Sequence, residues 1–234
     1  MDLDGQVILV TGAAGNLGAA IAQAVAARGA RLALADVRRD PLVAVADTIG
    51  GDPLIIDGAD VRTAEGCARL VAETEARYGR VDGLANTVGT FKMAGIDSDA
   101  AADWAFLMDL NALSALRLSQ AVAPGMRARK HGRIVHTAAG AGFKAFGGAS
   151  VYSASKAAVI RIAEALSEEC KDDGVTVNCV APGTIDTPQN RAAMPDADAS
   201  RWVSPADIAT AFAFLLSPAA RAVTGIVIPV NGRG

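Results

Sequence analysis

The segment QVILVTGAAGNLG, residues 6–18, carries the fold prediction for this chain. Its first half is a short, continuously apolar run, as expected of a strand buried on both faces. Its second half is a glycine-rich loop in which Gly12, Gly15 and Gly18 permit a tight turn and a close approach of phosphate oxygens to the backbone. A helix is predicted to follow, with its N-terminal N–H groups directed at the same spot. A loop of this kind also occurs as a plain tight turn, so its meaning depends on the elements around it.

Apolar runs and helical patterns alternate along the rest of the chain. Strands are predicted at 6–11, 31–36, 53–58, 81–86, 132–137, 174–180 and 225–230, and helices near 17–28, 40–49, 63–78, 101–126, 153–171 and 205–216. Ser204 is the predicted N-cap of the last helix. Alternation of this kind implies right-handed crossovers and a parallel sheet. We therefore predict an α/β, doubly wound Rossmann fold in a single domain, 1–234, with about seven parallel strands and helices on both faces.

Composition excludes several classes of function. The 234 residues are 51% hydrophobic and 20% charged, with a net charge of -3, so no basic surface predicts nucleic-acid binding. No apolar run approaches the length of a membrane span, and the acidic N-terminus enters a strand at once, so we expect a cytoplasmic protein without a membrane partner. The three cysteines and two histidines lack metal-ligand spacing, so no metal is expected.

The second predicted strand ends in an acid that bears on the coenzyme. Asp36 stands 18 residues after Gly18, and an acid there can accept hydrogen bonds from a ribose diol and would repel a 2′-phosphate. NAD is therefore favoured, with NADP as the alternative because Arg38 and Arg39 follow closely. Asp60 would contact adenine, although a turn or helix-capping aspartate explains it equally well.

Tyr152 and Lys156 form a candidate proton-transfer pair. Their spacing places both side chains on one face of a helix. An ammonium beside a phenol favours the phenolate, so we expect Lys156 to lower the pKa of Tyr152 and let it transfer protons at moderate pH. The spacing alone arises by chance in many helices, but its combination with the loop at 11–18 points to an oxidoreductase.

Together these motifs resemble the short-chain dehydrogenase/reductase family over essentially the whole chain. The resemblance includes NTVG at 86–89, MDLNALSA at 108–115 and APGTIDTP at 181–188. It implies an NAD(P)-dependent enzyme acting on a small molecule, with Tyr152, Lys156 and Asn111 as catalytic residues and a relay water on the Asn111 carbonyl. The coenzyme-binding residues that it implies are Gly12, Ala14, Asn16, Leu17, Gly18, Asp36, Asp60, Val61, Asn86, Gly89, Tyr152, Lys156, Pro182, Gly183, Ile185 and Thr187.

One family residue is replaced. The family's catalytic serine precedes its tyrosine by 13 residues, and this chain has Ala139 there. Thr137, two residues upstream on the strand, would be about 6.5 Å away. The alanine, the loop form G-x-x-G-x-L-G and the short segment at about 184–204 resemble the quinonoid dihydropteridine reductase branch of the family. That resemblance implies NADH-dependent reduction of a quinonoid dihydropteridine or a similar small conjugated substrate, with Ala139, Phe91 and Lys144 as candidate substrate contacts.

Two other functions remain open at this stage. The first is an NAD(P)-dependent alcohol dehydrogenase or carbonyl reductase in which Thr137 or a backbone N–H replaces the serine. The second is a catalytically silent dinucleotide-binding protein. The resemblance also implies a homodimer or homotetramer in which the helices at 101–126 and 153–171 form a four-helix interface with a twofold mate.

Overall fold

The computed structural model describes residues 2–233 and contains one seven-stranded sheet. The strands are β1 Val7–Thr11, β2 Arg31–Asp36, β3 Leu54–Asp57, β4 Gly83–Asn86, β5 Gly132–Thr137, β6 Val175–Pro182 and β7 Val227–Val230. They lie in the order β3-β2-β1-β4-β5-β6-β7, and every neighbouring pair is parallel. The strand order reverses at β1, which pairs with both β2 and β4. The predicted doubly wound parallel sheet is confirmed, and the reversal creates a crevice at the carboxyl ends of its central strands.

Helices cover both faces of the sheet. They are α1 Asn16–Ala26, α2 Arg39–Ile49, α3 Ala64–Tyr78, α4 Trp104–Leu107, α5 Ser114–Ala128, α6 Ser150–Cys170, α7 Pro188–Ala193 and α8 Pro205–Leu216. One buried cluster includes Leu70 of α3 and Leu118 of α5, and a second on the other face includes Ile21 of α1 and Phe212 of α8. The continuous apolar runs of the strands follow from this burial on both sides. Ser204 caps α8 as predicted, because its Oγ accepts the backbone N–H of Asp207 at 3.1 Å.

Three helix predictions need correction. The helix expected at 101–126 is a 3-10 turn at Ala100–Asp103, then α4, a π-helical stretch at Met108–Leu113 and α5. Helix α6 begins at Ser150 rather than 153, so Tyr152 lies in its first turn. Helix α7 was not predicted. Hydrophobic periodicity does not register a π turn or so short a helix, whereas π turns often mark functional sites.

Residues 2–233 contain no helix that combines the length and the apolar content needed to cross a bilayer. Over the same range, no group of three or more His, Cys, Asp and Glu side chains is arranged to hold a metal ion. The cysteines, Cys67, Cys170 and Cys179, are buried and unpaired within this range.

Candidate active site

The loop between β1 and α1 forms a cradle of bare backbone. Gly12 has φ +72°, and a Cβ there would lie 2.7 Å from Oγ1 of Thr87. A Cβ on Gly18 would lie 2.2 Å from the carbonyl oxygen of Gly12, so glycine is required for α1 to pack on the loop. Gly15 precedes α1 and provides no side-chain cap, which leaves the first N–H groups of the helix available to an anion. The loop therefore fits the diphosphate of a dinucleotide, while the side chain of Leu17 packs toward the core.

A cleft of about 500 Å³ opens at the carboxyl ends of β1, β2 and β4. Its walls bring together Gly12, Asp36, Asp60, Val61 and Gly89, which the sequence analysis assigned to the coenzyme. In doubly wound sheets, ligands bind in the crevice where the strand order reverses. The cleft lies at that position.

The carboxylate of Asp36 accepts hydrogen bonds from within the protein. Its Oδ2 accepts the N–H of Ala14 at 3.1 Å, and its Oδ1 accepts the backbone N–H of Arg38 at 3.1 Å. The Nε of Arg38 also lies 3.3 Å from Oδ1, and the Asp36 side chain is only 8% exposed. The carboxylate thus holds the glycine-rich loop and a neighbouring cation, and Oδ2, with one hydrogen bond, keeps an acceptor site for a ribose hydroxyl.

Asp60 does not cap helix α3. That cap is Thr63, whose Oγ1 accepts the N–H of Gly66 at 3.0 Å. Asp60 instead forms a turn in which its carboxylate bonds to the backbone N–H and the guanidinium of Arg62. These bonds hold the pKa of Asp60 below its ordinary value. The turn alternative therefore describes this structure, and the adenine contact stays a prediction.

Lys156 lies buried behind the cleft. Its Nζ donates to the carbonyl oxygen of Thr137 at 2.9 Å, and a Cβ on Gly89 would lie 3.1 Å from the same Nζ. Burial lowers the pKa of Lys156 to about 8. The glycine thus lets the loop after β4 approach the ammonium, and a ligand in the cleft gains a cation at this point.

The expected lowering of the Tyr152 pKa is wrong for this structure. Desolvation by burial raises the pKa of the phenol to about 12, and the ammonium of Lys156 donates to the carbonyl oxygen of Thr137. The ring of Phe91 meets the Tyr152 ring edge to face, with centroids 4.8 Å apart. Tyr152 is therefore a phenol that keeps its proton and can act as a hydrogen-bond donor.

Asn111 ties the two halves of the site together. Its Oδ1 accepts the N–H of Thr90 at 2.8 Å, and its Nδ2 donates to the carbonyl of Thr90 at 3.0 Å and to Oγ of Ser155 at 2.9 Å. Ser155 in turn donates to the carbonyl oxygen of Tyr152. The sequence analysis missed Thr90 and Ser155, and their adjacency to the NTVG and Tyr-x-x-x-Lys motifs was the available signal.

Asn86 anchors a buried polar network beneath the glycine-rich loop. Its Oδ1 accepts from Oγ1 of Thr11 at 2.9 Å and from the N–H of Val88 at 3.1 Å. Its Nδ2 lies 3.2 Å from Nδ1 of His136, whose Nε2 lies 2.8 Å from Oγ of Ser119. The amide donates to Nδ1, so the Nε2–H faces Ser119. Burial lowers the pKa of His136 to about 3 and keeps the ring neutral. The sequence analysis missed His136, because it belongs to no local motif.

Thr137 does not replace the missing serine. Its hydroxyl donates to the carbonyl oxygen of Asn86 at 2.9 Å, which uses its only proton. Ala139 has an extended backbone and precedes a 3-10 turn at Gly140–Gly142. That turn packs on α6, since a Cβ at Gly142 would lie 3.0 Å from the backbone of Lys156. The loop that carries Ala139 therefore borders the helix of Tyr152 and Lys156 without offering a side-chain hydroxyl.

The rim of the site is apolar. Phe91 and Phe146 have ring centroids 6.4 Å apart, and each is 51% exposed. Phe143, which directly follows the Gly140–Gly142 turn, is also more than half exposed. Lys144 is exposed, and its ammonium has no hydrogen-bond partner among residues 2–233. The candidate substrate face is thus lined by phenylalanine rings on an otherwise small-residue loop.

The segment at 184–204 folds over the glycine-rich loop. Ile185 makes an isolated parallel bridge with Val203, and Thr187 caps α7 by accepting the N–H of Asn190 at 3.1 Å. Asn16, at the start of α1, donates to Gln189 of α7 at 2.8 Å. Asn16 and the segment at 184–204, which the sequence analysis assigned to the coenzyme from distant parts of the chain, therefore lie next to each other.

The turn before this segment is closely packed around a glycine. Pro182 ends β6, and the N–H of Gly183 donates to the carbonyl of Val230 at 3.0 Å. A Cβ on Gly183 would lie 3.1 Å from the backbone of Asn231. Close packing against the chain after β7 thus fixes where the segment leaves the sheet.

Comparisons with known proteins agree with this geometry. The family model described as short chain dehydrogenase matches residues 6–198. The chain is 34% identical over 242 residues to 3-oxoacyl-(acyl-carrier-protein) reductase FabG of Escherichia coli strain K12, covering 99% of this chain and 98% of that protein. It is 33% identical over 244 residues to D-threitol dehydrogenase of Mycolicibacterium smegmatis, covering 98% and 93%. The crystal structure of levodione reductase superposes with a TM-score of 0.90 at 30% identity, covering 98% of this chain and 97% of that one.

A family match over most of the chain, relatives that align from end to end and a solved structure of the same fold lead to one assignment. The chain belongs to the short-chain dehydrogenase/reductase family of NAD(P)(H)-dependent oxidoreductases.

Proposed function

We propose that this protein reduces a small, conjugated substrate at the expense of NADH, with a quinonoid dihydropteridine as the leading candidate. The observation that carries the proposal concerns positions 137 and 139, where a second hydroxyl for the substrate was expected. Ala139 has none, and Thr137 commits its proton to Asn86. A site with one phenolic donor suits a substrate that accepts a hydride without strong stabilisation of a developing alkoxide.

The energetics favour a conjugated ring over a simple ketone. Reduction of a ketone concentrates negative charge on one oxygen, and removing one donor from such an oxyanion site costs about 10²–10³ in rate. An electron-poor, diimine-like ring spreads the added charge over several atoms, so a single donor suffices. The phenylalanine rim, with Phe91 beside Tyr152, gives a flat ring an apolar wall.

Each residue of the proposed mechanism has one role. The nicotinamide ring, when bound, supplies the hydride. The glycine-rich loop would hold the diphosphate, and Lys156 would bind the adjoining ribose through its ammonium. Tyr152 would donate its proton to the substrate atom that has gained negative charge. A water on the Asn111 carbonyl would return the proton to the phenol.

A carbonyl reductase or alcohol dehydrogenase is the second candidate. The relatives named above are two reductases and a threitol dehydrogenase, and their names describe carbonyl and alcohol chemistry. In this case a backbone N–H would act in place of the serine. The preference for NADH over NADPH is part of the proposal. It rests on Asp36 at the end of β2.

The test follows NADH absorbance with quinonoid dihydropteridine generated in the cuvette, beside a panel of ketones. Tyr152→Phe removes the proton donor and is expected to abolish most of the enzyme-dependent rate. A rate with the pterin that exceeds the ketone rates supports the proposal. A rate with ketones alone assigns the second candidate, and NADH binding without any turnover assigns the silent dinucleotide-binding function.

We also propose that the protein forms a homodimer or homotetramer through α5 and α6. A groove of about 480 Å³ runs between the two helices and is lined in part by Ala123, Pro124, Leu166 and Cys170. Size-exclusion chromatography with light scattering measures the assembly. Leu166→Glu places a charge in the groove and is expected to shift the protein toward monomer. A monomeric wild type would contradict the proposal.

A further inference from the structure

A row of buried polar side chains crosses the sheet directly beneath the glycine-rich loop. One aligned set of residues on β1, β4 and β5 is apolar and belongs to the buried cluster of α3 and α5: Leu9, Leu84 and Ile134. Two residues further along each strand, the same face of the sheet carries another aligned set: Thr11, Asn86 and His136. All three are almost completely buried. Burying polar groups costs free energy that an apolar row avoids, so the change from apolar to polar indicates a role for these side chains.

The loop after β4 fixes the direction of the hydrogen bonds in this row. The backbone N–H of Val88 can only donate, so the oxygen of the Asn86 amide must face it, at 3.1 Å. The nitrogen of the same amide therefore faces Nδ1 of His136, at 3.2 Å, and donates to it. Nδ1 then carries no proton, and Nε2–H donates to Oγ of Ser119 on α5, at 2.8 Å. The ring is thus held in a single tautomer between β4 and α5.

The neutral ring in turn fixes the orientation of the Asn86 amide. A proton on Nδ1 would set an N–H group against the amide nitrogen, and burial together with the charge of Lys156 keeps the ring neutral by lowering the pKa of His136 to about 3. An amide rotated by half a turn would lose two hydrogen bonds, from the Thr11 hydroxyl at 2.9 Å and from the N–H of Val88. Thr11 and Val88 belong to opposite walls of the cleft. One imidazole therefore controls how the strand ends before both coenzyme loops are held.

We propose that His136 is a positioning residue for the coenzyme: its ring orients the Asn86 amide, and the amide holds the loops after β1 and β4 in the arrangement that binds the dinucleotide. This role rests on the proposed coenzyme cleft. His136 is fully buried and does not line the cleft, so it acts through Asn86 and not by contact with the coenzyme.

Two conservative variants separate the two nitrogens of the ring. The side-chain oxygen of an asparagine lies close to where Nδ1 of histidine lies, so His136→Asn keeps an acceptor for the Asn86 amide and loses the donor to Ser119. The amide nitrogen of a glutamine lies close to where Nε2 lies, so His136→Gln keeps the donor and loses the acceptor. His131→Gln is the matched control, because His131 precedes β5 at the far end of the strand and lies 3.0 Å from Gln6.

The measured quantities are the Kd of NADH and of NADPH, from fluorescence titration, and the Tm of each folded variant. His136→Gln should raise the coenzyme Kd about tenfold, because the Asn86 amide loses the partner that orients it. His136→Asn should lower Tm by a similar amount and should keep the Kd within about threefold of wild type. His131→Gln should bind like the wild type. Equal losses of affinity in the Asn and Gln variants, or losses that only follow Tm, assign His136 a purely structural role and overturn the inference. A wild type that binds neither coenzyme overturns the cleft itself.

The tautomer is measured on the wild type and does not depend on whether a variant folds. Nitrogen-15 NMR distinguishes protonated from bare ring nitrogens, and the chain has two histidines, so the His131→Gln spectrum assigns the signals. We expect His136 at pH 7 to carry its proton on Nε2 alone. A proton on Nδ1, or on both nitrogens, would overturn the inference, because the ring could then not accept from the Asn86 amide.

Discussion

Replacing Ala139 by serine introduces a hydroxyl 13 residues before Tyr152, where the family resemblance leads us to expect the catalytic serine. The backbone at this position is extended, with φ −162° and ψ 159°, which a serine adopts without strain. The residue is only 8% exposed, so the new hydroxyl lies at the edge of the site rather than in bulk water. The substitution therefore adds one donor and changes little else.

The expected size of the effect depends on the substrate. One oxyanion donor is worth about 10²–10³ in rate, so a ketone that the wild type reduces slowly should be reduced up to that much faster. The rate with quinonoid dihydropteridine should change less than about threefold, because its reduction does not depend on a second donor. A hydroxyl that is buried without a partner costs about 1–3 kcal/mol, which lowers Tm by about 2–4 °C for each kcal/mol in a chain of this size.

Steady-state kcat/KM with each substrate, at fixed saturating NADH, measures the effect. Ala138→Ser is the control, since Ala138 is 2% exposed and packs in the buried cluster on the α5–α6 face. It should lower Tm comparably without raising either rate. Equal gains with the ketone and the pterin would refute the argument that conjugation makes the serine dispensable. An unchanged ketone rate in a folded, NADH-binding variant would show that residue 139 lies away from the reacting atom.

Three further results follow from the geometry of the site. Gly89→Ala places a Cβ 2.7 Å from Oδ1 of Asn111 and should lower kcat/KM more than about tenfold, whereas Gly95→Ala, in open space, should not; steady-state assays of both variants check this. Lys156→Met should raise Tm by about 2–6 °C at pH 7 while abolishing activity, because the fold lowers the lysine pKa to about 8. Since the native lysine loses its proton before the unfolded one, wild-type stability rises between pH 8 and 10.5, and calorimetry should find this difference shrinking there. In the reduction direction the phenol of Tyr152, with a pKa of about 12, keeps its proton, so a fall in kcat/KM above pH 8 should come from Lys156 and should move to higher pH in Lys156→Arg.

Much of the fold was predictable because its signals are local. Each strand is a short apolar run, and burial on both faces of a parallel sheet leaves that run uninterrupted in the sequence. The glycine-rich loop could be predicted for the same reason, since Gly18 packs closely against Gly12, a near neighbour in sequence. Helix α7 and the π turn around Asn111 could not be predicted from the sequence. Both depend on how the chain packs over the site rather than on a periodic pattern.

The site shows the same division. Motifs single out Tyr152, Lys156 and Asn111 as catalytic candidates, but they give no account of the electrostatic states of these side chains. The phenol has a raised pKa because the folded chain buries it. A motif records which groups are near in sequence and carries no information about desolvation.

Local pattern alone was thus enough to predict the parallel sheet and the family, both of which are confirmed. Tertiary contacts decided which polar groups are free to act. The Asn111 side chain donates to Ser155 across 44 residues of sequence, and the carbonyl oxygen of Asn86 accepts the hydrogen bond of the Thr137 hydroxyl across 51. Pairing with Arg38 likewise offsets the negative charge that Asp36 brings to the cleft. A hydrogen bond or a pKa is a property of the folded surroundings, and residues distant in sequence supply those surroundings.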